Sequence, residues 1–170
     1  MSKFDPWKRV AIPALLVVLG LSIVGVAASP ALVRSGYDLS HAVRFEVGAI
    51  RLRDGDSITI DEVTGSSEKM SAGNTYVIKG TYKLASQKRA TLLTSVTANK
   101  PKQGLGAPTQ RTQSVLVEQG DDHFSLILYM PYDGNPHVSF YPADGGESFA
   151  NLYFGTGDLV LKRGWWEKTD

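Results

Sequence analysis

The chain has 170 residues, with 18 Lys and Arg against 17 Asp and Glu, and it contains no cysteine. Lys3, Lys8, Arg9 and Asp5 precede residue 34, so the rest of the chain carries 15 basic and 16 acidic side chains without a basic cluster. This composition excludes disulfides, thiolate metal sites and a cysteine nucleophile, and it predicts no nucleic-acid partner.

The first element is an uncharged apolar run, residues 10–33, behind the basic side chains of residues 1–9. As a helix it would be about 36 Å long at 1.5 Å per residue. That length is sufficient to cross a bilayer core of about 30 Å. We therefore predict one N-terminal transmembrane helix, which anchors the chain in membrane lipid.

A cleaved signal peptide is the alternative, because the small residues 26–28 precede Ser29 as they would precede a cleavage site. The uncharged run up to residue 28 exceeds the ~7–15 residues of a typical signal core, which favours the anchor. Since basic residues come before the run, residues 1–9 are predicted to be cytoplasmic. The absence of cysteine favours the bacterial inner membrane, with the C-terminal domain periplasmic or extracellular.

After a polar linker, residues 34–42, we predict a single extracytoplasmic domain, residues 43–170. Two-residue alternation of apolar and polar side chains predicts its strands. In the clearest of these, residues 75–85, one face is apolar and is expected to be core, at Tyr76, Ile78, Tyr82 and Leu84.

The remaining strands are separated by turn-forming residues. Gly48 shifts the phase of the first alternating stretch, which predicts a bulge. Turns are predicted at residues 53–56, 86–89, 120–122 and 133–136, and residues 100–112 are predicted to form a long loop. We count eight or nine short strands, which predict an all-β, antiparallel β-sandwich of jelly-roll type.

Four of these stretches, AGNTYVIKGTY, ATLLTSVTA, DDHFSLILYM and NLYFGTGDLVL, follow one another along the chain. Their pattern of turn and core residues resembles the galactose-binding-like jelly rolls of carbohydrate-binding modules, over about residues 58–161. The resemblance implies a calcium ion that ties the first strand to the last, with Asp158 and Asp54 or Asp56 at the matching positions, since carboxylate oxygens suit Ca²⁺. The alternative is that these are turn-forming aspartates.

Aromatic side chains in the C-terminal half are candidates for ligand contact, because sugars and protein partners both bind flat amphipathic rings. The candidates are Tyr129, Tyr132, Tyr141 and Tyr153. His137 shares a face with Ser139 and Tyr141, and this row either lines a site or is a solvated sheet face. Trp7, Trp165 and Trp166 are candidates for the membrane interface, although the C-terminal pair would equally suit a cap on the core.

Catalytic motifs are missing from the sequence, which has no Gly-x-Ser-x-Gly elbow, no His-Glu-x-x-His and no phosphate-binding loop. A small hydrolase using Asp121, Asp122 or His123 is one hypothesis, but a turn before a strand explains these residues more simply. We therefore predict that the protein is not an enzyme. The predicted function is a membrane-anchored, non-catalytic binding module for cell-envelope glycan, and the alternative is an accessory subunit of a larger membrane protein complex.

Overall fold

The computed structural model describes residues 38–99, 113–164 and 166. Seven strands form one antiparallel sheet, and a 3₁₀ helix, Gly157–Leu159, follows the last strand. The strands are β1 (His41–Ala42), β2 (Glu46–Arg51), β3 (Ser57–Gly65), β4 (Thr75–Ala98), β5 (Ser114–Tyr129), β6 (Gly134–Pro142) and β7 (Ala150–Gly155). Their order is β1-β3-β4-β6-β7-β2, and β5 pairs with β4 outside this path.

The chain itself joins the two ends of the sheet. β1 and β2 lie at opposite ends of the strand order, yet only residues 43–45 separate them in sequence. Within that connection, the Val43 N–H donates a hydrogen bond to the Val63 carbonyl of β3 at 2.9 Å. β2 then pairs with β7. The sheet is therefore curled, and its inner face surrounds the core.

The sheet curls around β4, which has different partners along its two halves. One edge of β4 pairs with β5. The other edge pairs with β3 over residues 76–83 and with β6 over residues 90–98. Between the two halves, residues 85–88 lie opposite the single residue Gln119 of β5. We call residues 85–88 the β4 corner, because the strand bends there.

Apolar side chains from both halves of β4 meet inside the curl. The Tyr82 ring contacts the Phe140 ring edge to face, with centroids 5.9 Å apart. The alternating row predicted for residues 75–85 is confirmed as core, since Tyr76, Ile78, Tyr82 and Leu84 are all buried. The other large side chains that are fully buried include Leu92, Leu126, Leu128, Met130, Val138, Phe140 and Phe154.

The prediction of an all-β, antiparallel domain is confirmed, and so is the bulge at Gly48, where the register with β7 shifts between Val47 and Ile50. The prediction that strands end in turns at residues 86–89 and 120–122 is wrong, because β4 and β5 bend at these positions and continue. After β7 the described chain forms the 3₁₀ helix and no further strand. The described residues form seven strands, compared with the eight or nine predicted for the domain.

Several predictions lie outside the described residues. These are the anchor at residues 10–33, the loop at residues 100–112, Trp7 and Trp165. Within the part of the chain that the structure describes, no helix combines the length and apolar character needed to span a membrane.

Candidate binding cleft

A cleft of about 250 Å³ lies between the two halves of β5. We call it the β5 cleft, and its lining residues are Tyr82, Val115, Leu116, Val117, Glu118, Asp122, His123, Phe124 and Ser125. The halves meet at Ile127, whose carbonyl accepts hydrogen bonds from the Gln113 N–H at 3.0 Å and the Thr94 hydroxyl at 2.8 Å. They are joined through Gln119 and Gly120, and φ of Gly120 is +135°, a value that favours glycine at a bend. The cleft occupies the space in between.

The floor of the β5 cleft is apolar because inward-facing side chains of the bent strand continue to its edge. Val117 and Phe124 are each 5% exposed, and Val115 packs against the same core. Tyr82 lies beneath them on β4, with its ring almost fully buried. The cleft is therefore a place where the hydrophobic core is open to solvent.

Two carboxylates border this floor. Asp122 is the register partner of Tyr82 and therefore shares its face of the sheet, but its side chain is exposed. Glu118 is also exposed, at the other half of β5. Burial raises the pKa of Tyr82, and the negative charges of Asp122 and Glu118 raise this pKa further. The Tyr82 phenol therefore stays protonated at neutral pH in a region of negative potential.

The Tyr82 hydroxyl forms no hydrogen bond with any described residue, so it is available as a donor or acceptor inside the cleft. Leu116 lines the cleft and is 58% exposed, somewhat more than Val47 and Ile50 of β2. The site therefore offers an apolar floor, a neutral phenol and two anionic groups at its mouth.

Of the residues that the hydrolase hypothesis would use, Asp122 and His123 line this cleft but do not face each other. Asp122 and His123 are consecutive in β5, so their side chains point to opposite faces of the sheet. Asp122 Oδ1 instead accepts a hydrogen bond from the His123 backbone N–H at 2.7 Å.

A second cleft, of about 650 Å³, lies near the start of the domain. Its lining includes the exposed charged side chains of Arg44, Glu68 and Lys69. It is crossed by a hydrogen bond from the Met70 N–H to the Thr156 hydroxyl at 3.1 Å. Because its charges are mixed and its lining is more polar, the β5 cleft is the better candidate for recognition.

The row containing His137 and Ser139 is not a solvated face. His137 is 6% exposed and Ser139 is 0% exposed, because β6 lies between β4 and β7 and its outer face is covered as well as its inner face. Ser139 donates a hydrogen bond to Asn151 Oδ1 at 2.6 Å. Tyr141, the third member of the row, is partly exposed. The expectation of solvation is wrong for the first two residues.

His137 is held between its neighbours on that outer face. Its ring lies 4.8 Å from the Tyr153 ring, and Tyr153 in turn lies 5.8 Å from the Trp166 ring. Nδ1 of His137 is 3.3 Å from the Asn135 carbonyl and 3.5 Å from the Thr97 hydroxyl. Burial lowers the pKa of His137 to about 4. The imidazole is therefore neutral at physiological pH and acts as part of the interior.

The tyrosines predicted for ligand contact do not share one surface. Tyr129 pairs with Thr75 in the first half of β4. The Tyr132 hydroxyl donates to the Val96 carbonyl at 2.9 Å, and its ring packs against the core. Tyr153 is buried between two rings. The structure therefore brings His137 and Tyr153 together, but it leaves Tyr129, Tyr132 and Tyr141 in other places.

The three aspartates considered for calcium have different surroundings. Asp56 is buried, and its carboxylate accepts hydrogen bonds from the β4 corner. Asp54 lies in an exposed turn, and Asp158 is exposed in the 3₁₀ helix. Among the described residues, no three His, Asp or Glu side chains form a group suited to hold a metal ion.

Sequence reasoning correctly assigned Tyr82 to the core but did not predict that it also lines a cleft. One signal was present, because Asp122 occupies the same alternating row as Phe124, Leu126 and Leu128. A carboxylate in an otherwise apolar row marks a place where the row reaches solvent. For the bend that creates the cleft, the turn-forming residues near positions 86 and 120 were a signal of a change of direction but not of a strand that continues through it.

Comparison with known families, curated proteins and solved structures finds no match to this chain. The resemblance to galactose-binding-like modules therefore stays a prediction.

Proposed function

We propose that this protein is a membrane-anchored, non-catalytic binding domain that holds a protein partner through the β5 cleft. The observation that carries the proposal is the opening of the core at Tyr82, Val117 and Phe124, with the carboxylates of Glu118 and Asp122 at its mouth. Apolar pockets with a few polar groups are the usual form of a recognition site.

Anchoring is part of the proposal and depends on the uncharged run at residues 10–33, which is long enough to cross a bilayer. With residues 1–9 in the cytoplasm, the curled sheet lies on the outer side of a bacterial inner membrane. There it acts as an accessory subunit that engages another envelope protein. A jelly-roll arrangement of the sheet is compatible with this role, since that architecture serves binding in many unrelated proteins.

A protein partner is favoured over cell-envelope glycan by the positions of the aromatic side chains. Sugar recognition would use exposed rings on a common surface. Tyr132 and Tyr153 are instead committed to the interior. The exposed Leu116 beside the cleft offers an apolar contact of the kind that protein interfaces bury.

Site-specific photocrosslinking in the native membrane tests this proposal. The full chain carries p-benzoylphenylalanine in place of Leu116, with the same replacement of the exposed Asp144, in the turn after β6, as the control. We expect a discrete protein adduct from position 116 that is missing from position 144. The proposal fails if position 116 gives no adduct or if both positions give the same one. An adduct removed by glycan-degrading enzymes would assign the cleft to glycan.

A further inference from the structure

The occupant of the β5 cleft can be identified from its size, lining and charge. We propose that the cleft binds an arginine side chain presented by an extended segment of the partner protein. This inference rests on the proposed function and adds the chemistry of the contact.

The size of the cleft limits what it can hold. Its volume of about 250 Å³ is below the ~300–1,000 Å³ of pockets for drug-sized ligands. It is therefore suited to one long side chain rather than to an oligosaccharide or a cofactor. The rest of the partner must lie outside, against the rim.

The lining suits a side chain that is apolar along its stem and cationic at its end. The stem would pack on Val115, Val117 and Phe124, which form the apolar floor. The charged end would reach the mouth, where Glu118 and Asp122 are exposed. Both carboxylates line the same cleft as Tyr82.

These two carboxylates are available to a ligand. The ion pairs within the described part of the chain join Lys79 to Glu62 and Lys162 to Glu46, so neither Glu118 nor Asp122 takes part. Arg89 is the cross-strand register neighbour of Glu118, but it forms no ion pair with it. Of the Asp122 oxygens, Oδ1 accepts the His123 N–H, which leaves Oδ2 for a ligand.

Arginine fits this arrangement better than lysine. A guanidinium carries five donors in a plane, which allows it to reach two carboxylates at once. An ammonium group would satisfy the charge but would lose the paired geometry.

The edge of β5 indicates that the partner segment is extended. Among the described strands only β4 pairs with β5, and the Ile127 carbonyl near the end of β5 also accepts a hydrogen bond from Gln113, so an added chain would pair along the remaining edge of the strand. Leu116 projects beside that edge and is largely exposed. Alternate residues of an extended segment would thus place an arginine in the cleft and an apolar side chain on Leu116.

The test is fluorescence anisotropy with the full chain in dodecyl maltoside micelles. The probe is a fluorescein-labelled peptide, Thr-Val-Thr-Arg-Thr-Val-Thr, and the matched probe carries citrulline, which keeps the shape of arginine without its charge. We expect the Kd of the arginine peptide to be about tenfold lower, because charge-assisted hydrogen bonds replace neutral ones. A lysine peptide is expected to fall between the two.

Two sets of substitutions test whether the preference for the arginine peptide arises at the β5 cleft. The double substitution Glu118→Gln and Asp122→Asn should abolish the preference for arginine, while Asp144→Asn with Glu147→Gln, on an exposed turn, should preserve it. Equal binding of the arginine and citrulline peptides overturns the inference, and so does a preference that survives the cleft variant. If crosslinking from position 116 still captures a protein in that case, the proposed function stands without the arginine. If both experiments fail, both proposals fall.

Discussion

Asp56 is joined to Ser86 by two hydrogen bonds, from the Ser86 N–H to Oδ1 at 2.9 Å and from the Ser86 hydroxyl to Oδ2 at 2.6 Å. The Ala85 N–H donates to the same Oδ1 at 2.8 Å. Ala85 and Ser86 belong to the β4 corner, where the ladder with β5 is interrupted. The buried carboxylate of Asp56 therefore supplies acceptors that the interrupted ladder cannot, and it stabilises the bend around which the sheet curls.

Replacing Asp56 by alanine should destabilise the domain. The substitution leaves the two backbone donors and the Ser86 hydroxyl without their acceptor, and we expect the free energy of unfolding to fall by about 3 kcal/mol. Asp54→Ala, in the exposed turn two residues earlier, should change it by less than about 0.5 kcal/mol. Urea unfolding of the full chain in micelles measures both values. Similar values for the two variants would contradict the role assigned to Asp56.

Gly80 should not accept a side chain. A Cβ at this position would lie 1.9 Å from the Thr59 carbonyl oxygen and 2.8 Å from Cζ of Phe124. Gly80→Ala therefore requires β3 to move, and we expect a loss of about 3 kcal/mol in the free energy of unfolding.

The control for Gly80 is the preceding residue. Lys79→Ala removes an ion pair with Glu62 in which both side chains are about half exposed, so it should cost less than about 1 kcal/mol. Thermal unfolding followed by circular dichroism compares the two variants. A Gly80→Ala protein as stable as the Lys79→Ala protein would show that β3 moves away easily.

The burial of His137 predicts that the stability of the domain depends on pH. Its pKa is lowered to about 4 in the folded protein, against about 6.5 in an unfolded chain. The unfolded chain therefore binds more protons between these values, and stability present above pH 6.5 is lost as the pH falls toward 4. Between pH 7 and pH 5 the free energy of unfolding should fall by about 2 kcal/mol.

Two substitutions distinguish the contribution of His137 to this pH dependence from the contributions of other titrating groups. His137→Gln should remove most of the change between pH 7 and pH 5, whatever its effect on stability at pH 7. His123→Gln, at an exposed position of β5, should leave the change intact. Urea unfolding at several pH values is the measurement, and a slope unaffected by His137→Gln would mean that another group titrates.

The N-terminal run predicts where the protein is found and with what mass. If residues 10–33 form a retained anchor, the full-length mass should be recovered from the membrane fraction. A cleaved signal peptide would instead give a shorter protein beginning near Ser29 in the soluble fraction. Intact mass spectrometry of the two fractions distinguishes these outcomes directly.

Much of the sheet could be predicted because strand faces follow from a local rule. Alternation over Tyr76, Ile78 and Tyr82 identifies the buried face of β4 without any knowledge of its neighbours. The phase shift at Gly48 likewise predicts the bulge in β2. Each of these features depends on residues that are close together in the sequence. Burial of the apolar side chains therefore stabilises them in any antiparallel arrangement.

The β5 cleft and the buried row on β6 could not be predicted in the same way. Turn-forming residues near positions 86 and 120 indicate a change of direction, but they do not reveal that the ladder continues through it. His137 has the sequence surroundings of a solvated position. Its burial depends on the neighbouring strands β4 and β7. It also depends on the adjacent Tyr153 ring, which in turn contacts the Trp166 ring.

The amino-acid sequence by itself determined the all-β character, the buried face of the first half of β4, the bulge at Gly48 and the uncharged N-terminal run, because each of these depends on the spacing of neighbouring side chains. Only the tertiary structure decided that β5 bends open beside Tyr82 and that Asp56 closes the β4 corner. The physical reason is that these features need hydrogen bonds and contacts between residues far apart in the chain. No local pattern specifies which distant donor, acceptor or ring will meet them.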